Sequence, residues 1–263
     1  WAYDFETQQV STWKGNIAGT AGAAFGGDGT IYVATGAGEG TGNSIVAIDP
    51  KTLQTRSAYK ASGEFASSPV VFEFKGKTLI AATASDGSVH LVDAANMTAL
   101  SVTSATAKGS APGSLASWQD RDGARWILVA HTGALPAGFS GTATKGAILA
   151  WKLSEDGSKL LPGWASRDLV SPLTPTVING VVIATSSGEF KTDDGKVTAT
   201  ARAARSGKAV VYLLDGATGK ELWNSGATIA SFARGNALSG GMGQFYLTTY
   251  DGTIYAFGFP MEH

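Results

Sequence analysis

A chain of 263 residues that is 43% apolar can bury a large core without disulfide staples, and its lack of cysteine leaves the compartment open. Charged residues make up 16% and the formal net charge is -1, which excludes the polyelectrolyte character of a nucleic-acid or acidic-membrane binder. No 18-residue apolar span or leader pattern occurs, and position 1 is tryptophan, so a processed, trimmed or partial chain is expected.

In chain order, a strand, a glycine turn and a second apolar strand recur five times. The copies are AAFGGDGTIYVATG, VVFEFKGKTLIAAT, ASWQDRDGARWILVAH, PTVINGVVIATS and ALSGGMGQFYLTTY. The turn glycines Gly29, Gly76 and Gly123 lie 47 residues apart, and Gly180 and Gly243 follow at 57 and 63. Third strands come next: NSIVAID, GSVHLVD, GAILAWKL, AVVYLLD and GTIYAFGF. Four of these turn through DPKTLQ, DAANMT, SEDGSK and DGATGK into a fourth strand.

Apolar residues alternate with a period of two and no helical period stands out, so the expected fold is all-β. A period in the high forties is one four-stranded antiparallel blade, which predicts a β-propeller with five blades visible. The blades fall roughly at 20–60, 65–105, 112–166, 172–225 and 235–259, in a single domain over 1–263. The last copy stops at its third strand near Phe259, and the N-terminal WAYDF reads as a fourth strand. Trp1–Phe5 is therefore expected to pair with the strand at Thr253–Phe257 and remove an open sheet edge.

The hairpin DGATGKELW, from Asp215 to Trp223, resembles the tryptophan-docking repeat of pyrroloquinoline-quinone-like (PQQ-like) propellers of the quinoprotein alcohol dehydrogenase-like superfamily. DPKTLQ and DAANMT are similar to degenerate copies, and Trp1 sits where a docking tryptophan would start a fourth strand. The resemblance spans essentially the whole chain. It implies that Trp223 packs between blades while Asp215, Thr218 and Gly219 shape the hairpin, and that this is a C-terminal portion of a six- to eight-bladed ring, against the alternative of a genuine five-bladed ring. It implies PQQ and calcium as cofactors for dehydrogenase members, and a periplasmic or extracellular location. The adjacent cysteine pair of such enzymes is absent, and their calcium-binding carboxylates and catalytic aspartate match no position here. No catalytic residue and no metal ligand is therefore nominated.

Meander geometry puts the long connections GAGEGTGN, TGALPAGFSGTATK and SGEFKTDDGKVTATARAARSG together with the blade-to-blade segments on one face, the expected binding face. Four residues there are nominated for ligand binding. Arg234 is placed to clamp an oxyanion, against the alternative of a salt bridge or solvated rim residue. His131 is placed as base or metal ligand, against that of a hydrogen-bonded structural histidine. Trp13 and Phe65 offer rings for stacking, against interblade packing. His90 and the terminal His263 are expected to be structural and inert, KTDDGK lacks the ligand set of a calcium loop, and GAGEGTG lacks the helix of a phosphate cradle. Two functions stay open: a binding or scaffold propeller for a protein, glycan or small ligand, and part of a PQQ-dependent alcohol or sugar dehydrogenase. Neither nucleic acid nor a transmembrane segment is expected.

Overall fold

The computed structural model describes residues 1–105, 113–192, 194–241 and 243–258; the expected end of the last strand near Phe259, and His263, lie outside them. Two short strands, β1 (Ala2–Tyr3) and β2 (Val10–Ser11), open the chain. The first sheet is β3 (Ala24–Phe25), β4 (Ile31–Ala34), β5 (Ser44–Ile48) and β6 (Thr55–Lys60). The second is β7 (Val70–Phe74), β8 (Lys77–Thr83), β9 (Val89–Asp93) and β10 (Thr98–Val102). The third is β11 (Ala116–Gln119), β12 (Arg125–Thr132), β13 (Gly146–Leu153) and β14 (Leu160–Ala165). The fourth is β15 (Thr176–Ile178), β16 (Val181–Ser186), β17 (Val210–Asp215) and β18 (Glu221–Asn224), with helix α1 (Ala199–Arg205) between its second and third strands. The fifth has three strands, β19 (Ala233–Gly241), β20 (Gln244–Thr249) and β21 (Ile254–Gly258). Each sheet is a meander in chain order, so the repeat read from the sequence is the repeat of the fold.

The repeat is written into backbone geometry at two positions. Gly29, Gly76, Gly123, Gly180 and Gly243, the five first-turn glycines, have φ of 81, 77, 81, 79 and 76°, a region an L side chain enters only at a cost. The turns between third and fourth strands share a second device: Leu53, Met97 and Gly219 each lie four residues after an aspartate, with φ of 55, 54 and 71°. Their amides donate to the Asp49, Asp93 and Asp215 carbonyls at 2.9, 2.9 and 2.8 Å. The aspartates' side chains accept backbone N–H groups inside the turn, as Asp215 does from Thr218 at 2.9 Å.

The chain divides into two compact units, Trp1–Ser117 with Leu153–Leu161, and Trp118–Lys152 with Pro162–His263. In the first, Ala34, Ile45 and Ala47 of the first sheet share a core with Ile80, Ala82 and Val92 of the second. The opposite face of the first sheet, with Val33, Val46 and Ile48, is covered by Leu53, Ala2 and Trp13. In the second unit, Ile183 and Val211 of the fourth sheet pack on Phe245 and Leu247 of the fifth. Covering both faces explains why inner strands such as β5 are buried at every residue, although the sequence was read for alternation. Each fully buried Val, Leu or Ile contributes about 1.5–3 kcal/mol of transfer free energy.

At the N-terminus β1 pairs antiparallel with β2, Ala2 opposite Ser11 and Tyr3 opposite Val10. The cause is local turn chemistry, because the Asp4 carboxylate accepts the Glu6 and Thr7 N–H groups at 2.9 Å each and Gln8 takes φ of 57°. Trp1, expected to dock, is 94% exposed. The chain also contains a helix where none was expected. Thr198 caps it by accepting the Ala201 N–H at 3.2 Å, and its sequence ATARAAR is built from strong helix formers. Seven residues are too few for a periodic apolar face, and none is buried, so no 3.6-residue signal exists to read.

Candidate functional site

The hairpin from Asp215 to Trp223 is held by bonds to the Asp215 side chain, and the tryptophan seated on it is Trp164. Asp215 accepts the Thr218 hydroxyl at 2.7 Å as well as its N–H, and that hydroxyl bond chiefly holds the carboxyl below the ordinary carboxylate range. Trp223, in β18, meets Phe257 of β21 edge-on at 5.8 Å and is 43% exposed. Trp164, in β14, is buried, donates through Nε1 to the Gly216 carbonyl at 2.9 Å and covers Gly219. Trp164 thus locks the third sheet's last strand onto the fourth sheet's hairpin. Its register seven residues after Gly157, rather than four as in DGATGKELW, hid it from the motif.

The four nominated ligand residues fall in different settings. Phe65 is 2% exposed, in the core of the first unit, with its ring edge-on to His90 at 5.1 Å, so no ring face is open. Trp13, in the same unit, is half-buried against the first sheet and donates to Thr55 Oγ1 at 3.2 Å. His131, in the second unit, is buried in β12; its Nε2 lies 2.9 Å from the Ala134 carbonyl, which makes that nitrogen the N–H donor. Burial pushes its pKa below 6.5 against the opposing pull of the carbonyl. Arg234, at the start of β19, ion-pairs with Glu189 at 3.1 Å and stays largely exposed.

His90 closes a buried relay in the first unit. The Ser88 hydroxyl donates to Asp86 at 2.7 Å and accepts from His90 Nε2 at 3.1 Å, while His90 Nδ1 accepts from the Tyr59 hydroxyl at 3.0 Å. Every donor has an acceptor, which fixes the neutral imidazole with its proton on Nε2. Desolvation depresses the His90 pKa against the attraction of Asp86. The relay resembles a catalytic triad in composition only: Ser88 and His90 are 3% and 5% exposed.

The accessible chemistry lies on the long connections of the second unit. Asp168, in the segment after β14, accepts the backbone N–H groups of Thr144, Lys145 and Gly146 at 2.8, 2.7 and 3.4 Å. Burial raises its pKa, but the three amides with the Lys145 charge hold it below the ordinary value. The loop after β16 is tied down by serines: Ser171 Oγ donates to the Glu189 carbonyl at 2.8 Å, and Ser206 Oγ accepts the Phe190 N–H at 2.9 Å. The Gly207 amide donates to the Gly188 carbonyl at 2.8 Å.

These ties form two adjoining clefts that share Glu189. One, a shallow crevice of about 20 Å³, is lined by Arg202, Arg234, Phe232 and Tyr250. The other, an open cleft of about 450 Å³, is lined by Lys145, Lys191, Arg205 and Lys208 beside Phe190. The Arg205 guanidinium lies over the Phe190 ring, 3.7 Å from its centroid, and Phe232 stacks on Tyr250 at 4.5 Å. Arg234 was the one cleft residue read from the sequence; the cationic richness of 191–208 was legible, but not that its side chains converge. Among the described residues no group of three His, Cys, Asp or Glu could hold a metal ion, so the calcium site that the resemblance implies does not fit these side chains.

No protein-family model matches the chain, and no curated protein matches it. Among solved structures it is similar to hydrazine synthase from Kuenenia stuttgartiensis, with a TM-score of 0.52 and 12% identity, covering 97% of this chain and 69% of that one. At that identity the likeness shows the fold alone: a β-propeller-like array of antiparallel blades. No helix among the described residues is long and apolar enough to cross a membrane.

Proposed function

We propose that this chain is a binding or scaffold module of the PQQ-like repeat kind, acting outside the cytoplasm through its long connections. The supporting observation is the contrast between its polar groups. Ser88 and His90 are buried and partnered, while the loops 133–145 and 187–207 are clamped by Asp168, Ser171 and Ser206 and hold exposed charged side chains around two clefts. Rigidly held loops with open polar side chains suit recognition, because little ordering entropy is lost on binding. The extracytoplasmic location rests on the sequence resemblance and the low-charge composition.

The test is hydrogen exchange across a panel of glycans, organic acids and peptides, with turnover of alcohols and aldoses assayed in parallel after adding PQQ and calcium. Ligand-dependent protection confined to 133–145 and 187–207, without turnover, is expected. Robust turnover with an artificial electron acceptor would replace this reading with that of a quinone-dependent dehydrogenase.

A further inference from the structure

We infer that the two clefts around α1 form one site for a ligand carrying at least two carboxylate or sulfate groups. This rests on the binding reading above and specifies its chemistry. Among the described residues lining the clefts there are six cations, Lys145, Lys191, Arg202, Arg205, Lys208 and Arg234, and one carboxylate, Glu189. The chain as a whole has 20 Lys and Arg against 21 Asp and Glu, so composition alone does not produce such a patch.

The single carboxylate is already balanced by Arg234. The other ion pairs among the described residues are those of Arg56 with Asp28 and Asp49 and of Arg167 with Glu221, so the remaining five cations have no acidic side-chain partner among the described residues. Lys145 also acts on Asp168, but that carboxylate is engaged by three backbone amides. Five like charges held together repel one another, and a multivalent anion relieves that repulsion.

Geometry sharpens the preference. The Arg205 Cζ sits 3.7 Å from the Phe190 ring centroid, which fixes in place a guanidinium whose planar fork matches a carboxylate or sulfate. The open cleft, about 450 Å³, falls in the range of ligand sites rather than of single-ion sites. Its ring face at Phe190 is already occupied by Arg205, and Phe232 is stacked on Tyr250. A strand of nucleic acid, which needs successive open ring faces, is therefore disfavoured.

The experiment titrates the full chain with citrate, a galacturonate tetramer, a neutral maltose-type tetramer and an oligothymidylate, by calorimetry at low and moderate salt. The comparison protein is the triple variant Lys191→Gln, Arg205→Gln, Lys208→Gln. These are exposed side chains, and circular dichroism checks that the fold survives. Binding of citrate or of the uronate tetramer, weakening with salt and falling at least about tenfold in the variant, is expected, since each lost charge contact is worth about a few-fold or more. Preference for the tetramer assigns an acidic sugar chain, and preference for citrate a small polycarboxylate. Equal affinity in the variant, absence of binding by both anions, or tighter binding of the oligothymidylate would overturn the inference. A neutral tetramer that protects 187–207 as strongly would also overturn it while leaving the binding reading standing.

Discussion

The indole of Trp164 occupies the space a side chain at residue 219 would need: a Cβ on Gly219 would lie 2.4 Å from Trp164 Cε3, and Trp164 Nε1 donates to the Gly216 carbonyl at 2.9 Å. At the equivalent turn positions the first two sheets have Leu53 and Met97, left-handed but with side chains buried in their own cores. The same turn geometry is filled from within in two sheets and by a neighbouring strand's tryptophan in the fourth.

Gly219→Ala is therefore expected to cost more than the same change at a turn glycine with open space. Left-handed backbone alone costs an L residue about 1–2 kcal/mol, and overpacking adds about 1–3. Gly76→Ala, at φ of 77° with nothing within 4 Å of the added Cβ, incurs only the first. Thermal unfolding of the two variants isolates the Trp164 contact; equal losses would mean the indole yields freely.

Stability should fall as pH drops below about 6.5. Burial depresses the pKa of both His90 and His131 in the folded chain, so their contribution is complete above the unfolded value of 6.5 and is lost progressively as pH falls toward the folded values. Urea unfolding at about pH 8 and about pH 5 measures the loss. His90→Gln should be less stable at the higher pH yet lose less between the two. An unchanged difference would place the His90 imidazole in water rather than in the Tyr59–Ser88 relay.

Asp168→Ala should free the loop before β13. Three amides lose their acceptor, but solvent reaches those of Thr144 and Lys145, so the global cost is about 1 kcal/mol. Exchange at Thr144, Lys145 and Gly146 should rise well beyond that at the core of β12. The depressed carboxyl pKa gives the wild-type tie the same sign as the histidines', in a more acidic window: present above the unfolded carboxylate range, it is lost as pH falls through the folded value.

Thr198→Ala removes the cap of α1 and is expected to cost about 1 kcal/mol locally. The helix buries no residue, so the melting temperature should move little while the Ala201 amide loses protection. Affinity for a polyanion should fall as well, because Arg202 and Arg205 are displayed by this helix.

What the sequence determined by itself is what repeats locally. A glycine in a left-handed turn and an aspartate bonded two to four residues ahead are interactions within one hairpin, so five sheets and their order were legible from spacing and turn chemistry. The same locality folds Ala2–Tyr3 back on Val10–Ser11 through the Asp4 turn. Tertiary structure decided which tryptophan docks on Gly219, that Phe65 and His131 are enclosed, and that Lys145 joins Lys191 and Arg205 around one cleft. Those outcomes depend on packing between segments tens of residues apart, where shape and burial rather than residue order set the result.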